Sequence, residues 1–149
     1  MPFFSVIIPL FNKENYVENA LKSILNQTFS DFEIIIINDC STDNSVTKIQ
    51  SYLSEKVRLI VHEKNKGLSA TRNTGIANAK SDYITYLDAD DLWKPTFLET
   101  IYRLISSFPE AKIFGTNYEE VYGEKVLKPH NGSENLETNF EGIIDFFKI

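Results

Sequence analysis

Cysteine is close to absent: Cys40 stands alone in 149 residues, which excludes an intrachain disulfide framework and any thiolate-based metal site. Histidine is scarce too. His62 and His130 lie far apart, without companions that would suggest a metal pair, and both read as structural or surface residues. The six glycines form no GxGxxG after a strand and no GxxxxGK[ST] loop. A bound nucleotide would therefore be held by side chains and a cation rather than by a glycine cradle. No apolar run approaches the ~18 residues of a membrane span, and the first residues carry no signal-peptide pattern. An excess of positive charge is also missing. The net charge of −6, with both signs interspersed, argues against a general nucleic-acid binder. The expectation is a soluble, cytoplasmic chain that reaches the inner face of a membrane only through regions outside it. With 42% hydrophobic residues the chain can bury a real core as one domain. The single tryptophan, Trp93, reads as core, and Asn131-Gly132-Ser133 fits a glycosylation acceptor pattern without secretory context.

What is present is a regular alternation. Phe3 to Pro9 is a β-branched run that predicts a buried strand. From Glu14 the period changes, and Val17, Ala20, Leu21, Ile24 and Leu25 mark one face of a helix. Phe32 to Ile37 predicts a second strand, followed by a polar loop from Asn38 to Ser45 rich in helix-capping residues. Val46, Ile49 and Leu53 mark a second helix, and Val57 to Val61 a third strand. Gly67 to Ala79 predicts a helix with few large apolar residues, and Asp82 to Leu87 a fourth strand. Pro95 suits the first position of a helix whose buried face is Leu98, Ile101, Tyr102 and Ile105. Ala111 to Gly115 is expected as a fifth strand, Glu119 to Lys128 as a hairpin around Gly123, and Asn139 to Ile149 as an apolar helix. That helix calls for a packing partner, either beyond the chain or in a second copy as a homodimer. The order implies an α/β fold with a mostly parallel sheet covered by helices on both faces. Ligands in such sheets bind beyond the carboxyl ends of the strands. Pro9 to Asn12, Asn38 to Cys40 and Asp88 to Asp91 share that rim.

Three groups of residues there suggest chemistry. Asp88, Asp90 and Asp91 place hard oxygen donors at a strand end, which suits Mg²⁺ or Mn²⁺ bound through one or two carboxylates plus phosphate oxygens. A solvated turn that caps the next helix accounts for an isolated Asp-x-Asp equally well. A haloacid-dehalogenase-type phosphotransferase would need Asp-x-Asp-x-Thr after the first strand, and a receiver domain an acidic pair there; Leu10-Phe11-Asn12 stands there instead. Asp39 can accept from the N3–H of a uracil or from a ribose hydroxyl, or can simply cap the helix that follows. Arg72, on the helix of small and polar residues, can aim a guanidinium at phosphate or base, or pair with a surface carboxylate.

Four motifs stand in order: Ser5-Val6-Ile7-Ile8-Pro9-Leu10-Phe11-Asn12 with Glu14; Ile37-Asn38-Asp39-Cys40-Ser41-Thr42-Asp43; Asn65-x-Gly67 leading to Arg72-Asn73-x-Gly75; and Leu87-Asp88-Ala89-Asp90-Asp91. Together they resemble the donor-binding portion of a family-2 glycosyltransferase of the GT-A fold, from about Phe3 to Tyr118. The resemblance implies residues 1–118 as a sugar-nucleotide-binding α/β core and residues 119–149 as the truncated start of an acceptor-side region. It implies Pro9, Phe11 and Glu14 around the nucleoside, Asp39 on the base, and Arg72 near base or phosphate. Asp88 would face the ribose or the metal, Ala89 would follow it, and Asp90 would be the main contact to Mg²⁺ or Mn²⁺, with Asp91 a rival. The implied reaction is inverting transfer from a nucleotide-diphosphate sugar, expected to be a UDP-sugar, to a hydroxyl of a glycan or lipid-linked acceptor. The sequence departs from the family in offering no catalytic base: Glu119 and Glu120 come too early, and Asp145 lacks the context. The isolated chain is therefore expected to be inactive. Thr71 stands where the family more often has alanine. The alternative from another class is a non-catalytic sugar-nucleotide-binding or assembly module.

Overall fold

The computed structural model describes residues 1–122 and 125–127. Four strands, β1 (Phe4–Leu10), β2 (Phe32–Asn38), β3 (Val57–Val61) and β4 (Tyr83–Tyr86), form one sheet in the order β3-β2-β1-β4, with every pairing parallel. Helices α1 (Val17–Leu25), α2 (Ser45–Ile49) and α3 (Leu68–Asn78) supply the crossovers, and a 3₁₀ turn over Gln50–Tyr52 continues α2. The inner strands β1 and β2 are buried along their whole lengths, as their unbroken Val/Ile runs require in a sheet covered on both faces. The outer strands are more open, and Val61, Tyr83 and Tyr86 are exposed.

Helix α1 buries Val17, Ala20, Leu21 and Ile24 of the face that the sequence periodicity marks, while Leu25, its last residue, is exposed. Helix α3 has no comparable apolar face and buries only Thr71 and Gly75. It packs over β1 and β2 by close approach rather than by large side chains. A Cβ placed on Gly75 would stand 2.5 Å from Ile7 Cγ2. At the other end of the sheet, buried Glu33 accepts from Ser5 Oγ (2.7 Å), the Lys80 N–H (2.7 Å) and the Arg58 guanidinium (2.9 Å). Arg58 also donates to the Asn78 carbonyl at 2.7 Å, which pins the C-terminal end of α3. Burial pushes the Glu33 carboxyl up, but the bonds from Ser5, Lys80 and Arg58 outweigh it and leave it below the ordinary range.

Helix α4 (Phe97–Ser107) starts later than Pro95. The Pro95 carbonyl is taken by the Thr28 N–H (2.9 Å), and Gln27 does the capping instead. Its amide donates to the Lys94 carbonyl (2.8 Å) while its Oε1 accepts from the Leu98 N–H (2.9 Å). The expected strand over Ala111–Gly115 does not form: the segment is irregular and Ile113 is 89% exposed, with no neighbouring strand among the described residues. A hairpin does follow, β5 (Glu120–Tyr122) antiparallel to β6 (Lys125–Leu127). By contacts the chain divides into Met1–Leu98 and the remainder. Gly123, His130, Asp145 and the helix expected over 139–149 lie outside the described residues. Among those described, no helix is long and apolar enough to cross a membrane.

Candidate functional site

Because the strands are parallel, the segments after β1, β2 and β4 emerge along one edge. Pro9 shapes the opening between them. The β1–β4 ladder ends with Ile7 opposite Tyr86 and the Leu87 N–H on the Ile7 carbonyl (3.1 Å). Pro9 shares the pleat orientation of Ile7, so its missing N–H falls where β4 has already stopped, one of the few places an inner strand tolerates proline. Beyond that point β1 and the segment 88–90 separate, and a cavity of about 420 Å³ opens. Pro9, Leu10, Phe11 and Lys13 line it on one side; Asp39, Asn65, Gly67, Leu68 and Thr71 line another, and Asp88, Ala89 and Asp90 close it.

The loops that carry these residues are locked to one another. Asn12 and Cys40 adopt left-handed backbone conformations, with φ of 49° and 62°. Asn12 Oδ1 accepts the Thr42 N–H (2.8 Å), and the Lys13 N–H donates to Ser45 Oγ (2.8 Å). The Glu14 N–H donates to Asp43 Oδ2 (3.0 Å), while Glu14 Oε2 accepts the Asn44 N–H (2.8 Å). Glu14, expected around the nucleoside, thus has its carboxylate turned to the 41–45 loop and does not line the cavity. Thr71 is buried, with its hydroxyl on the Gly67 carbonyl at 2.8 Å, so the hydroxyl that replaces the more usual alanine is satisfied within the helix.

Asp39 is almost fully buried at the cavity wall. Its Oδ1 accepts from the Lys66 N–H (2.8 Å) and faces His62 Nδ1 at 2.7 Å; its Oδ2 accepts from the Gly67 N–H (2.8 Å). Burial raises this carboxyl, but the bonds from His62, Lys66 and Gly67 together bring it below the ordinary range. A carboxylate offers about four acceptor positions. The one left open, on Oδ2, belongs to a cavity-lining group.

Arg72, which is not itself among the residues lining the cavity, donates to Asp88 Oδ1 at 2.9 Å, its guanidinium 5.7 Å from the Tyr86 ring centroid. Lys13 Nζ donates to Asp90 Oδ2 at 2.6 Å, and Asp90 holds the ammonium above its ordinary range. Asp91 has no cationic partner of its own among the described residues. Partial desolvation, then the neighbouring charges of Asp90 and Asp88, push its carboxyl up.

These residues fit a hard divalent cation in one particular way. No cluster of three or more ligating side chains exists among the described residues. Asp88 and Asp90 each commit one oxygen to a cationic side chain, and among the described residues the other oxygen of each has no hydrogen-bond donor. Two carboxylates with free oxygens at a cavity mouth suit Mg²⁺ or Mn²⁺ when phosphate oxygens and water complete the shell. Lys13 and His62 are the members that sequence reasoning missed. Lys13 has no local signal, since its partner lies 77 residues away. His62 carried a weak one, a polar residue directly after a strand.

The family model described as glycosyl transferase family 2 matches residues 5–148. Over 116 residues the chain is 40% identical to the glycosyltransferase GlyA of Streptococcus pneumoniae serotype 4, covering 76% of this chain and 16% of that protein. Over 123 residues it is 36% identical to GlyG of the same organism, covering 80% of this chain and 41% of the relative. The chain thus spans less than half the length of these relatives. Among solved structures, S. aureus TarS 1-349 superposes with a TM-score of 0.68 at 28% identity, over 72% of this chain and 33% of TarS; TarS has also been crystallised in complex with UDP-GlcNAc. The mannosyltransferase PcManGT of Pyrobaculum calidifontis, in complex with GDP-Man and Mn²⁺, shares the fold at 21% identity and a TM-score of 0.62. These neighbours are GT-A glycosyltransferases, the fold that the four motifs' resemblance implies. Matched by the family model over residues 5–148 and 40% identical to a relative over 76% of its own length, the chain belongs to glycosyl transferase family 2.

Proposed function

We propose that this chain is the donor-binding part of an inverting glycosyltransferase. It would move a hexosyl or N-acetylhexosaminyl group from a UDP-sugar to a hydroxyl of a glycan or lipid-linked acceptor, on the cytoplasmic side of a membrane. The observation that carries the reading is the composition of one cavity. One wall offers an acceptor-only carboxylate with a single open position, Asp39, and the mouth offers two carboxylates, Asp88 and Asp90, already paired with Arg72 and Lys13. The first matches a nucleobase that presents a ring N–H; the second matches a diphosphate brought in with a divalent cation.

In this reading Pro9 and half-exposed Phe11 flank the base, and Asp39 accepts its N–H. Asp88 takes the ribose or shares the cation, Ala89 leaves room between the two carboxylates, and Asp90 is the principal holder of Mg²⁺ or Mn²⁺, with Asp91 within reach. Arg72 and Lys13 offer their charges to the phosphates. When bound, the cation would neutralise the charge that develops on the departing nucleotide diphosphate. No residue of this chain is assigned as the base that deprotonates the acceptor, and the greater length of the relatives supports placing that group elsewhere in the whole protein.

Calorimetry tests the donor site. UDP is expected to bind the 149-residue chain about tenfold more tightly with Mn²⁺ than without, a gain typical of one added charge-assisted contact. Asp90→Ala is expected to remove that gain. Metal-indifferent UDP binding together with an unaltered Asp90→Ala variant would sink the reading.

A further inference from the structure

His62, directly after β3, is 5% exposed and sits between the end of β2 and helix α3. Its Nδ1 is 2.7 Å from Asp39 Oδ1 and its Nε2 is 2.9 Å from Thr74 Oγ1. An ionised carboxylate only accepts, so the first contact requires the proton on Nδ1. The Thr74 hydroxyl is also 3.0 Å from the Ala70 carbonyl. It can donate there or to Nε2, and neither choice disturbs the bond to Asp39. The carboxylate is thus gripped by a ring just beyond β3 and by the Lys66 and Gly67 N–H groups ahead of α3. A turn about its Cβ–Cγ bond would break all three contacts together.

We propose that His62 is a positioning residue for nucleobase selection: its Nδ1–H holds the Asp39 carboxylate so that the one open lone pair on Oδ2 faces the base. This rests on the donor-site reading above. The consequence is a choice between ring types. A base with a ring N–H at that point, such as uracil, completes the carboxylate. One with a bare ring nitrogen, such as cytosine, sets two acceptors against each other, and a buried polar site rejects such a mismatch strongly. A purely structural histidine would stabilise the β2–α3 contact without affecting that choice.

Two conservative variants separate these roles. The amide of His62→Asn places an N–H where Nδ1 stood; that of His62→Gln reaches toward the position of Nε2 and Thr74. UDP and CDP affinities are measured by calorimetry with Mn²⁺ for wild type and both variants, with circular dichroism as the check on folding. Wild type is expected to favour UDP over CDP by about tenfold or more, the value of a charge-assisted hydrogen bond. His62→Asn is expected to retain the preference, whereas His62→Gln loses UDP affinity about tenfold and brings the two nucleotides within about threefold of each other. A folded His62→Gln that keeps the UDP/CDP ratio overturns the inference, as does a parallel loss of both nucleotides in both variants. Nitrogen-15 NMR of the wild-type imidazole tests the tautomer without depending on variant folding: a proton on Nδ1 supports the inference and a ring protonated at Nε2 alone overturns it. Failure of wild type to bind UDP would defeat the donor-site reading and this inference with it, whereas a binding wild type with an indifferent His62→Gln defeats the inference alone.

Discussion

Replacing Gly75 by alanine pits two opposing effects of known size against each other. In an exposed helix the change would stabilise by about 0.8–1.0 kcal/mol through backbone entropy. Here the new Cβ would lie 2.5 Å from Ile7 Cγ2, 2.9 Å from Cδ1 and 3.0 Å from Cγ1. Carbon atoms pack at about 3.5–4.0 Å, so the shortest contact is about 1 Å too close. Ile7 cannot swing aside, because it is fully buried and β-branched residues are stiff at χ1. Nor can its strand retreat, since β1 is paired on both sides. The helix must therefore lift, opening its contacts with both β1 and β2. Overpacking of this kind costs about 1–3 kcal/mol, and the lack of any easy escape places this site at the upper end. Subtracting the helix-propensity gain leaves a net loss of about 2 kcal/mol. With a urea m-value of about 1–3 kcal/mol per molar, the unfolding midpoint should fall by about 1 M. The measurement is a urea titration followed by far-ultraviolet circular dichroism. UDP affinity should fall as well, because α3 carries Thr71 and Arg72 beside the cavity. A midpoint that stays put or rises would refute the close-approach account of α3.

Other consequences are testable. Lys13→Met frees Asp90 from a rival cation and should tighten Mn²⁺ binding in the absence of nucleotide by about two- to fivefold, as expected for a half-exposed pair; weaker metal binding in calorimetry would contradict the assignment of Asp90. Glu33→Gln keeps the shape but removes the charge facing Arg58, and should lower stability by about 2 kcal/mol, several degrees in Tm. An unchanged thermal transition would count against the Glu33 network as a structural clamp. Because the Glu33 and Asp39 carboxyls both lie below their ordinary values in the folded protein, the unfolded chain takes up protons first on acidification. Stability should therefore be full above about pH 4.5 and decline as pH falls through the folded-state values; urea midpoints constant from about pH 6 to 3 would contradict this. Finally, the 149-residue chain should transfer little or no sugar in a radiolabelled UDP-sugar assay, and full turnover would overturn the placement of the catalytic base elsewhere.

The strands were legible where burial on both faces demands an unbroken β-branched run. That holds for β1 and β2, which differ from their expectations only at their ends; Val57–Val61, at the more open edge of the sheet, coincides with its expectation without such burial. Helix α3 was legible in position, and its poor apolar face has a physical reason in the close approach at Gly75. The mismatches turn on contacts that local sequence does not carry, a distant partner in two cases and a missing one in the third. Pro95 has the chemistry of a helix start, yet Gln27 supplies the capping contact at Leu98 from 71 residues away. Glu14 sits in a motif expected around a nucleoside, yet its carboxylate meets Asn44. Ala111–Gly115 has the composition of a strand but, among the described residues, no neighbouring strand to pair with. At the cavity, Asp39 could be singled out by its place at a strand end, whereas the ring that holds it could not, because nothing local connects residue 62 to residue 39.

The strand order also has a consequence for how the chain is made. Strand β1 lies inside the sheet, yet the bond from the Ser81 N–H to Ser5 Oγ, beside the β1–β4 pairing, closes 76 residues of chain. At about 5–20 residues per second on a ribosome, the β4 side of β1 waits roughly 4–15 seconds for its partner to be synthesised. During that interval Phe-Ser-Val-Ile-Ile-Pro-Leu presents an unpaired apolar edge, the kind of template on which foreign strands add. Pro9 interrupts the donor row of that edge. The proline that stands just beyond the end of the β1–β4 ladder in the finished fold therefore also leaves a gap in the edge on which a foreign strand would pair.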